Sequence, residues 1–177
     1  MVCGVTGGSK SLMGARVYVV SKSPVNDLWN DSSCGGSFAP HLRASGFDAI
    51  FITGKSEKPC YLFIDDGKVE FRDATHLWGK VTSWVDDTLH EELGKDISVF
   101  QIGPGGEHLS WMAAIINDKH RAAGRGGSGG VMGSKNLKAV VCRGTHKIEI
   151  FDNSEIMAAN KKCVAYGNPG ERGEHVM

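Results

Sequence analysis

Between Asn117 and Val141 the chain reads NDKHRAAGRGGSGGVMGSKNLKAVV, and this stretch has the residue types of an anion site. Gly124, Gly126, Gly127, Gly129, Gly130 and Gly133 let successive backbone N–H groups turn toward one concave point, where they can donate to phosphate oxygens. Lys119, His120, Arg121, Arg125, Lys135 and Lys138 add positive charge. An arginine supplies a planar fork for two oxygens, and a lysine supplies a mobile point charge. Gly124, Gly126 and Gly129 also fall in a G-x-G-x-x-G spacing. A dinucleotide fingerprint needs an apolar strand before its first glycine and a helix after it. Here the preceding residues are the polar NDKHRAA and the glycines lead toward the apolar run after Leu137, so the spacing alone predicts no dinucleotide site. A flexible surface loop explains glycine content by itself; arginines on both sides of Gly124 favour a bound anion.

Other candidates are sparser. Arg16 stands at the head of a β-branched run, a place where a solvated end residue is common. Gly35-Gly36 allows a close backbone approach within VNDLWNDSSCGGSF. His90, Glu91 and Glu92 are adjacent, so on a helix they point in different directions and read as a solvated face rather than a metal site. Gly8-Ser9-Lys10-Ser11 lacks both the first glycine and the Gly-Lys step of a phosphate-binding P-loop.

The elements that must position these residues are strands and helices without regular alternation. Strands are expected over 16–21, 49–53, 60–64, 69–72, 98–102, 139–142 and 147–151. Asp65-Asp66-Gly67-Lys68 is tight-hairpin chemistry between two of them. Helices are expected over 40–45, closed by Gly46, and from Ser83 to Gly94, with Ser83 and Asp86 spaced as a capping box. A third is expected from Asp152 to Ala165, capped by Asn153 or Ser154. Residues 25–38 read as a loop, 103–109 as a turn, and 110–116 as strand or helix. The sum is an α+β fold: a layered, β-rich domain with a few short helices. A poorly anchored segment is expected over 1–13, the domain proper over 14–151, and a helical C-terminal extension over 152–177.

At 177 residues and 41% hydrophobic, the chain can bury a real core. Its 20 basic and 20 acidic side chains cancel, which gives no support for nucleic-acid or membrane binding driven by overall charge. Any anion site is therefore local. No stretch approaches the ~20 apolar residues needed to span a bilayer, and MVCGVTGGSKSLMG has no signal-peptide core. Cys3, Cys34, Cys60, Cys142 and Cys163 stand far apart, which fits a reducing cytoplasmic setting and no cluster built from this chain alone.

Five stretches carry a family resemblance: SKSP at Ser21–Pro24, CGG at Cys34–Gly36, GFDAIFITGKSEKP at Gly46–Pro59, RDATHLWGK at Arg72–Lys80 and the run from Asn117 to Gly144. Together they resemble the N-terminal domain of the aldehyde ferredoxin oxidoreductase family, over roughly residues 14 to 144. The resemblance implies a β-rich base on which a pterin cofactor lies, in an enzyme that oxidises aldehydes to carboxylic acids. Tungsten, or molybdenum, is held there by the dithiolenes of two pterins, and electrons leave through a 4Fe-4S cluster, ligated outside this chain, to ferredoxin. Residue by residue, the cofactor contacts fall on Arg16, Ser33, Gly35, Arg121 and Ala122, with Gly124 and Gly126 in the glycine stretch. The carbonyl of Ala122 would face the waters of a magnesium ion joining the two pterin phosphates. Ser33 stands where the family usually carries asparagine, offering an oxygen at shorter reach and no amide. The implied partners are the remaining domains of the enzyme, ferredoxin, and a second copy in a homodimer. On this reading Met1 starts inside the domain, and the chain alone is inactive. The rival readings are a non-catalytic phosphate- or nucleotide-binding module and an inert gene fragment.

Overall fold

The computed structural model describes residues 1–12 and 14–167. Three antiparallel strands, β1 (Val2–Cys3), β2 (Val17–Lys22) and β3 (Trp29–Cys34), form a small sheet in sequence order. A larger sheet holds β4 (Cys60–Asp65), β5 (Lys68–Asp73), β6 (Ser98–Gln101), β7 (Ile115–Asn117), β8 (Arg121–Ala123) and β9 (Leu137–Arg143). Its order is β5-β4-β9-β6-β7-β8, antiparallel throughout except for the central β4–β9 pair. The helices are α1 (Phe38–Ala44), α2 (Thr82–Leu93), α3 (Pro104–Glu107), α4 (Ser128–Ser134) and α5 (Asn153–Gly167). The α+β class and the layered, β-rich character follow the expectation.

The central strands β4, β9 and β6 of the large sheet are buried on both faces, which is why CYLFI and LKAVVC read as near-continuous apolar runs. On one face Leu62, Ile64, Phe100 and Val140 pack against α1 and the small sheet. The rings of Phe38 and Phe100 stack there at 4.8 Å. On the other face Tyr61, Phe63, Val99 and Val141 pack against Val85 and Leu89 of α2. The β4–β5 hairpin turns on Asp66 (φ 42°) and Gly67 (φ 83°), the left-handed pair that a two-residue hairpin requires.

Several expectations need correcting, each for a physical reason. Residues 29–34 form a strand, not a loop. Their inward residues, Asn30, Ser32 and Cys34, are buried polar or small groups, so the alternation carries no hydrophobic signal. Residues 49–53 form no strand beyond a single bridge from Ala49 to Val2, and Phe51 is 92% exposed. Residues 147–151 likewise pair with nothing regular. Helix α2 starts one residue early, with Val81 at the cap position and no side-chain bond there, so Ser83 caps nothing. Residues 104–107 make one helical turn, and the 110–116 run yields a strand only from Ile115. Asp152 caps α5, its Oδ1 accepting from the N–H groups of Ser154 and Glu155. The opening residues are anchored: the Met1 ammonium donates to the Ile50 carbonyl (2.8 Å), Cys3 is in the core, and Leu12 N–H donates to Asn160 of α5 (2.8 Å).

Lys138, counted from sequence among the cations of the glycine stretch, is taken up by the fold instead. It is fully buried on β9, paired with Glu107 of α3, itself 1% exposed, and donating to the Lys80 carbonyl at 2.9 Å. Burial pulls its ammonium below the ordinary lysine value, and Glu107 pulls the other way. Removing one partner leaves the other charge buried alone. Lys138→Ala should therefore cost about 3–5 kcal/mol in urea unfolding, and Lys138→Met with Glu107→Leu should restore most of it. An equal loss in the single and double variants would refute this account.

Candidate functional site

The free edge of the large sheet, β8, lies beside β3 of the small sheet, and a polar cavity of about 640 Å³ opens between them. Arg16, Tyr18, Asp31, Ser32 and Ser33 line it from β2, β3 and the approach to them. Ala122, Gly124 and Arg125 line it from β8 and the following loop. Arg16 Nη1 donates to Ser33 Oγ at 3.0 Å, so this serine orients the guanidinium.

Side chains of β3 hold the glycine loop in place. Ser32 Oγ accepts the Arg125 N–H at 3.0 Å, and Asn30 Nδ2 donates to Ser128 Oγ at 2.9 Å and to the Arg125 carbonyl at 3.3 Å. Ser23 Oγ donates to the Gly126 carbonyl at 3.0 Å. Gly126 (φ 63°) has no alternative at its position, because a Cβ there would sit 2.0 Å from Asn30 Oδ1. The fold thus accounts for Gly126 without a ligand.

The glycine stretch does lead into a helix, contrary to expectation, but not into a nucleotide cradle. Gly129 N–H at the start of α4 is spent on the Ala113 carbonyl at 2.9 Å, and Ser128, Gly129 and Gly130 are buried. Gly133 lets α4 touch α3, since its Cβ would meet the Gly106 carbonyl oxygen at 1.9 Å. Among these glycines Gly124 is different. It has open space, the Ala122 Cβ at 3.9 Å being its nearest neighbour, and no left-handed φ. Gly35 is open in the same way, with nothing within 4 Å.

The cations sort themselves too. Lys138 is buried in its ion pair, Lys135 donates to the Gly54 carbonyl at 3.0 Å, and Lys119 pairs with Asp87 at 2.5 Å. Among the described residues, Arg121 and Arg125 make no ion pair. Arg125 faces the cavity, and Arg121 is exposed beside it, in electrostatic reach of Cys34 together with Arg16. Burial and then Asp118 push the Cys34 thiol up to about 11 against those two guanidiniums, so it stays protonated at neutral pH. Of the residues singled out from sequence, Arg16, Ser33, Ala122 and Gly124 meet in the cavity; Gly35 and Arg121 adjoin it, and Gly126 is scaffold. Tyr18, Asp31 and Ser32 carry no sequence signal of their own, whereas Arg125 is one of the two arginines flanking Gly124 that the sequence offers for an anion.

The β7–β8 hairpin carrying Arg121 is held at its tip by α2. Lys119 (φ 60°) reaches Asp87 and, at 3.9 Å, Asp86. Asp86 is 6% exposed, and its Oδ1 has no hydrogen-bond partner. Burial raises its pKa, with His90 and Lys119 opposing. A carboxyl whose folded pKa is raised binds its proton more tightly in the fold. It costs stability as pH rises from the unfolded carboxylate range through the folded value. Asp86→Asn should therefore raise the melting temperature at pH 7 and lose that advantage in acid. A lower melting temperature for the variant at pH 7 would show that the Lys119 contact outweighs burial.

The two classes of glycine give a second test. Gly124→Ala should change stability by no more than about 0.5 kcal/mol while weakening any anion held in the cavity. Gly126→Ala should destabilise the fold by about 1–3 kcal/mol through the Asn30 clash and the left-handed φ. Thermal melts read the first effect and phosphate titration the second; equal stability losses in both variants would remove the distinction.

The chain resembles known proteins over most of its length. The family model for the aldehyde ferredoxin oxidoreductase N-terminal domain matches residues 1–144, beginning ahead of the boundary at residue 14 expected from sequence. The chain is 44% identical over 165 residues to the tungsten-containing aldehyde ferredoxin oxidoreductase of Pyrococcus furiosus, covering 93% of this chain and 27% of that protein. It is 46% identical over 151 residues to the enzyme of the same name from Thermococcus kodakarensis, covering 85% and 25%. An aliphatic sulfonate oxidoreductase, WOR-like subunit, of Pyrococcus furiosus is 39% identical over 157 residues, covering 81% and 25%. Among solved structures, the active site complex BamBC of benzoyl coenzyme A reductase, bound to 1,5 dienoyl-CoA, matches with a TM-score of 0.91 and 35% identity, over 99% of this chain and 27% of that one. The chain spans about a quarter of the length of the curated relatives it matches. With a family model covering most of its length and a fold to match, this chain belongs to the aldehyde ferredoxin oxidoreductase family, as its N-terminal domain.

Proposed function

We propose that this chain is the base that grips the phosphates of a tungsten- or molybdenum-bearing bis-pterin cofactor in an aldehyde-oxidising enzyme. The observation that carries the reading is the cavity itself. Arg16, Arg125 and the Ser33 hydroxyl converge on it, and Gly124 and the adjoining Gly35 are glycines that no contact within the protein requires. A missing Cβ with open space above it is room for a ligand against the backbone. Several charge-assisted donors are what a phosphate needs to offset the loss of its water.

The chain's own residues divide the work. Arg16, oriented by Ser33, and Arg121 pair phosphate oxygens; Gly35 and Gly124 admit the cofactor close to the backbone. Ala122 would offer its carbonyl to the water shell of a magnesium ion if one binds with the phosphates, and Gly126 shapes the loop. With Ser33 in place of the family's asparagine, its oxygen accepts from Arg16 while its O–H stays available to donate into the cavity, so it serves the phosphates both directly and through that arginine. When bound, the metal–pterin centre supplies the two-electron oxidation of an aldehyde to a carboxylic acid. The 4Fe-4S cluster, the walls of the substrate pocket and the docking surface for ferredoxin belong to the remaining domains, in a cytoplasmic enzyme that pairs as a homodimer. The rival nucleotide-binding module loses ground because the Gly129, Gly130 and Val131 N–H groups in the first turn of α4 are spent on the protein's own carbonyls.

Arg121→Ala should cost about 2–5 kcal/mol of cofactor affinity if the guanidinium–phosphate pair is buried on assembly. The test is metal and phosphate analysis by mass spectrometry on the purified chain, alone and co-expressed with the polypeptide matching the rest of its relatives. Tungsten or molybdenum with pterin phosphate, lost in Arg121→Ala, is the expected result. Neither metal nor phosphate in either sample would sink the proposal.

A further inference from the structure

Between the CGGSF segment and the β7–β8 hairpin lies a set of bonds that none of the cofactor contacts explains. Asn117, fully buried, donates from Nδ2 to Ser98 Oγ and to the Val99 carbonyl, both at 3.0 Å, and accepts the Phe38 N–H on Oδ1 at 3.2 Å. Asp118 accepts the Ser37 N–H on Oδ2 at 2.6 Å and the Ser37 hydroxyl on Oδ1 at 2.7 Å. Helix α1 thus begins with no cap of its own and takes its N-terminal acceptors from another element. Gly36 (φ 110°) completes the fit, because a Cβ there would lie 2.2 Å from Asn117 Oδ1 and 2.6 Å from Asp118 Oδ2. Asp118 itself adopts φ 48°, a left-handed conformation that an aspartate tolerates when its side chain is bonded.

The geometry points to Asn117 and Asp118 as positioning residues that fix the distance between the two anion-contacting segments, resting on the phosphate-site reading above. Gly35 is two residues from Ser37, and Arg121 is three from Asp118. Any slackening of the Asp118–Ser37 bonds therefore moves Gly35 and Ser33 relative to Arg121 and Ala122. A cradle assembled from two chain segments loses affinity when their separation drifts.

Charge separates this role from simple electrostatics. Asp118 acts on Cys34, as Arg16 and Arg121 do, so its negative charge is within reach of the anion site. If charge alone mattered, deleting Asp118 would strengthen anion binding. Positioning requires the opposite sign.

The experiment is calorimetric titration of the folded chain with inorganic pyrophosphate, at a temperature where circular dichroism shows each variant native. Asp118→Ala should weaken binding about tenfold or more, the scale of lost hydrogen bonds to a charged group. Asp118→Asn, which keeps an acceptor for the Ser37 N–H and drops the charge, should bind at least as well as the unaltered chain. Asp65→Ala, at the distant β4–β5 hairpin, should lower the melting temperature without moving affinity. Should Asp118→Ala fail to fold, Ser37→Ala removes one of the two bonds and should weaken binding in the same direction. Unchanged or tighter binding in Asp118→Ala, or in Ser37→Ala where it stands in, overturns the inference alone. An unaltered chain that binds no pyrophosphate overturns the phosphate-site reading and this inference with it.

Discussion

The two sheets meet along a polar seam, and the rest of the site depends on how that seam is satisfied. Asn30 and Ser32 of β3 reach across to the glycine loop, and Asn117 and Asp118 reach across to the start of α1. A typical hydrogen bond contributes only about 1 kcal/mol net, but a buried group left without a partner costs about 1–3 kcal/mol. Apolar packing could hold the two layers together in more than one alignment. The seam selects one, because a shift by a single residue would strand several buried donors and acceptors at once.

The same accounting decides which cations remain for a ligand. A glycine- and lysine-rich stretch looks uniformly basic, yet its lysines are occupied by carbonyls and carboxylates of the protein. The arginines are left, and a guanidinium is the better phosphate group because its fork matches two oxygens. Asp31 in the cavity wall moderates the field. With two guanidiniums, Arg16 and Arg125, and one carboxylate in its lining, the cavity keeps a positive balance while the carboxylate limits repulsion between the arginines.

How much of this was legible in the sequence follows from where the information lies. The hairpin at Asp66-Gly67, the apolar runs of β4 and β9 and the Gly94 stop after α2 are local signals, and each appears in the fold. The family motifs led to Arg16, Ser33, Ala122 and Gly124, which the fold gathers into one cavity. Strand β3 was illegible because its inward face is Asn30, Ser32 and Cys34, whose value lies in partners about a hundred residues away in the case of Asn30 and Ser32. The buried Lys138 was hidden for a similar reason: its partner Glu107 sits in a turn whose glycines gave no hint of a helix. Long-range polar pairing leaves no periodicity, so pattern reading passes over it.

Glycine content was the strongest signal and also the least discriminating. Most glycines of the stretch are demanded by the fold: Gly126 by Asn30, Gly127 by Pro24 and the Trp111 carbonyl, Gly129 by the Ala113–Ala114 backbone, and Gly133 by Gly106. Each permits a close approach of protein to protein. Gly124 and Gly35 meet neither a neighbour nor a left-handed φ, so stability gives no reason to hold glycine there. A glycine in helix or strand costs roughly 0.5–1 kcal/mol relative to alanine, and in an open loop it adds unfolded-state entropy that folding must overcome. Gly4 and Gly105 are open in the same way, so open space alone does not mark a site; at Gly124 and Gly35 it counts because on the proposed function a ligand approaches the backbone there. What sets these two apart is their place at the polar seam, near arginines that make no ion pair among the described residues.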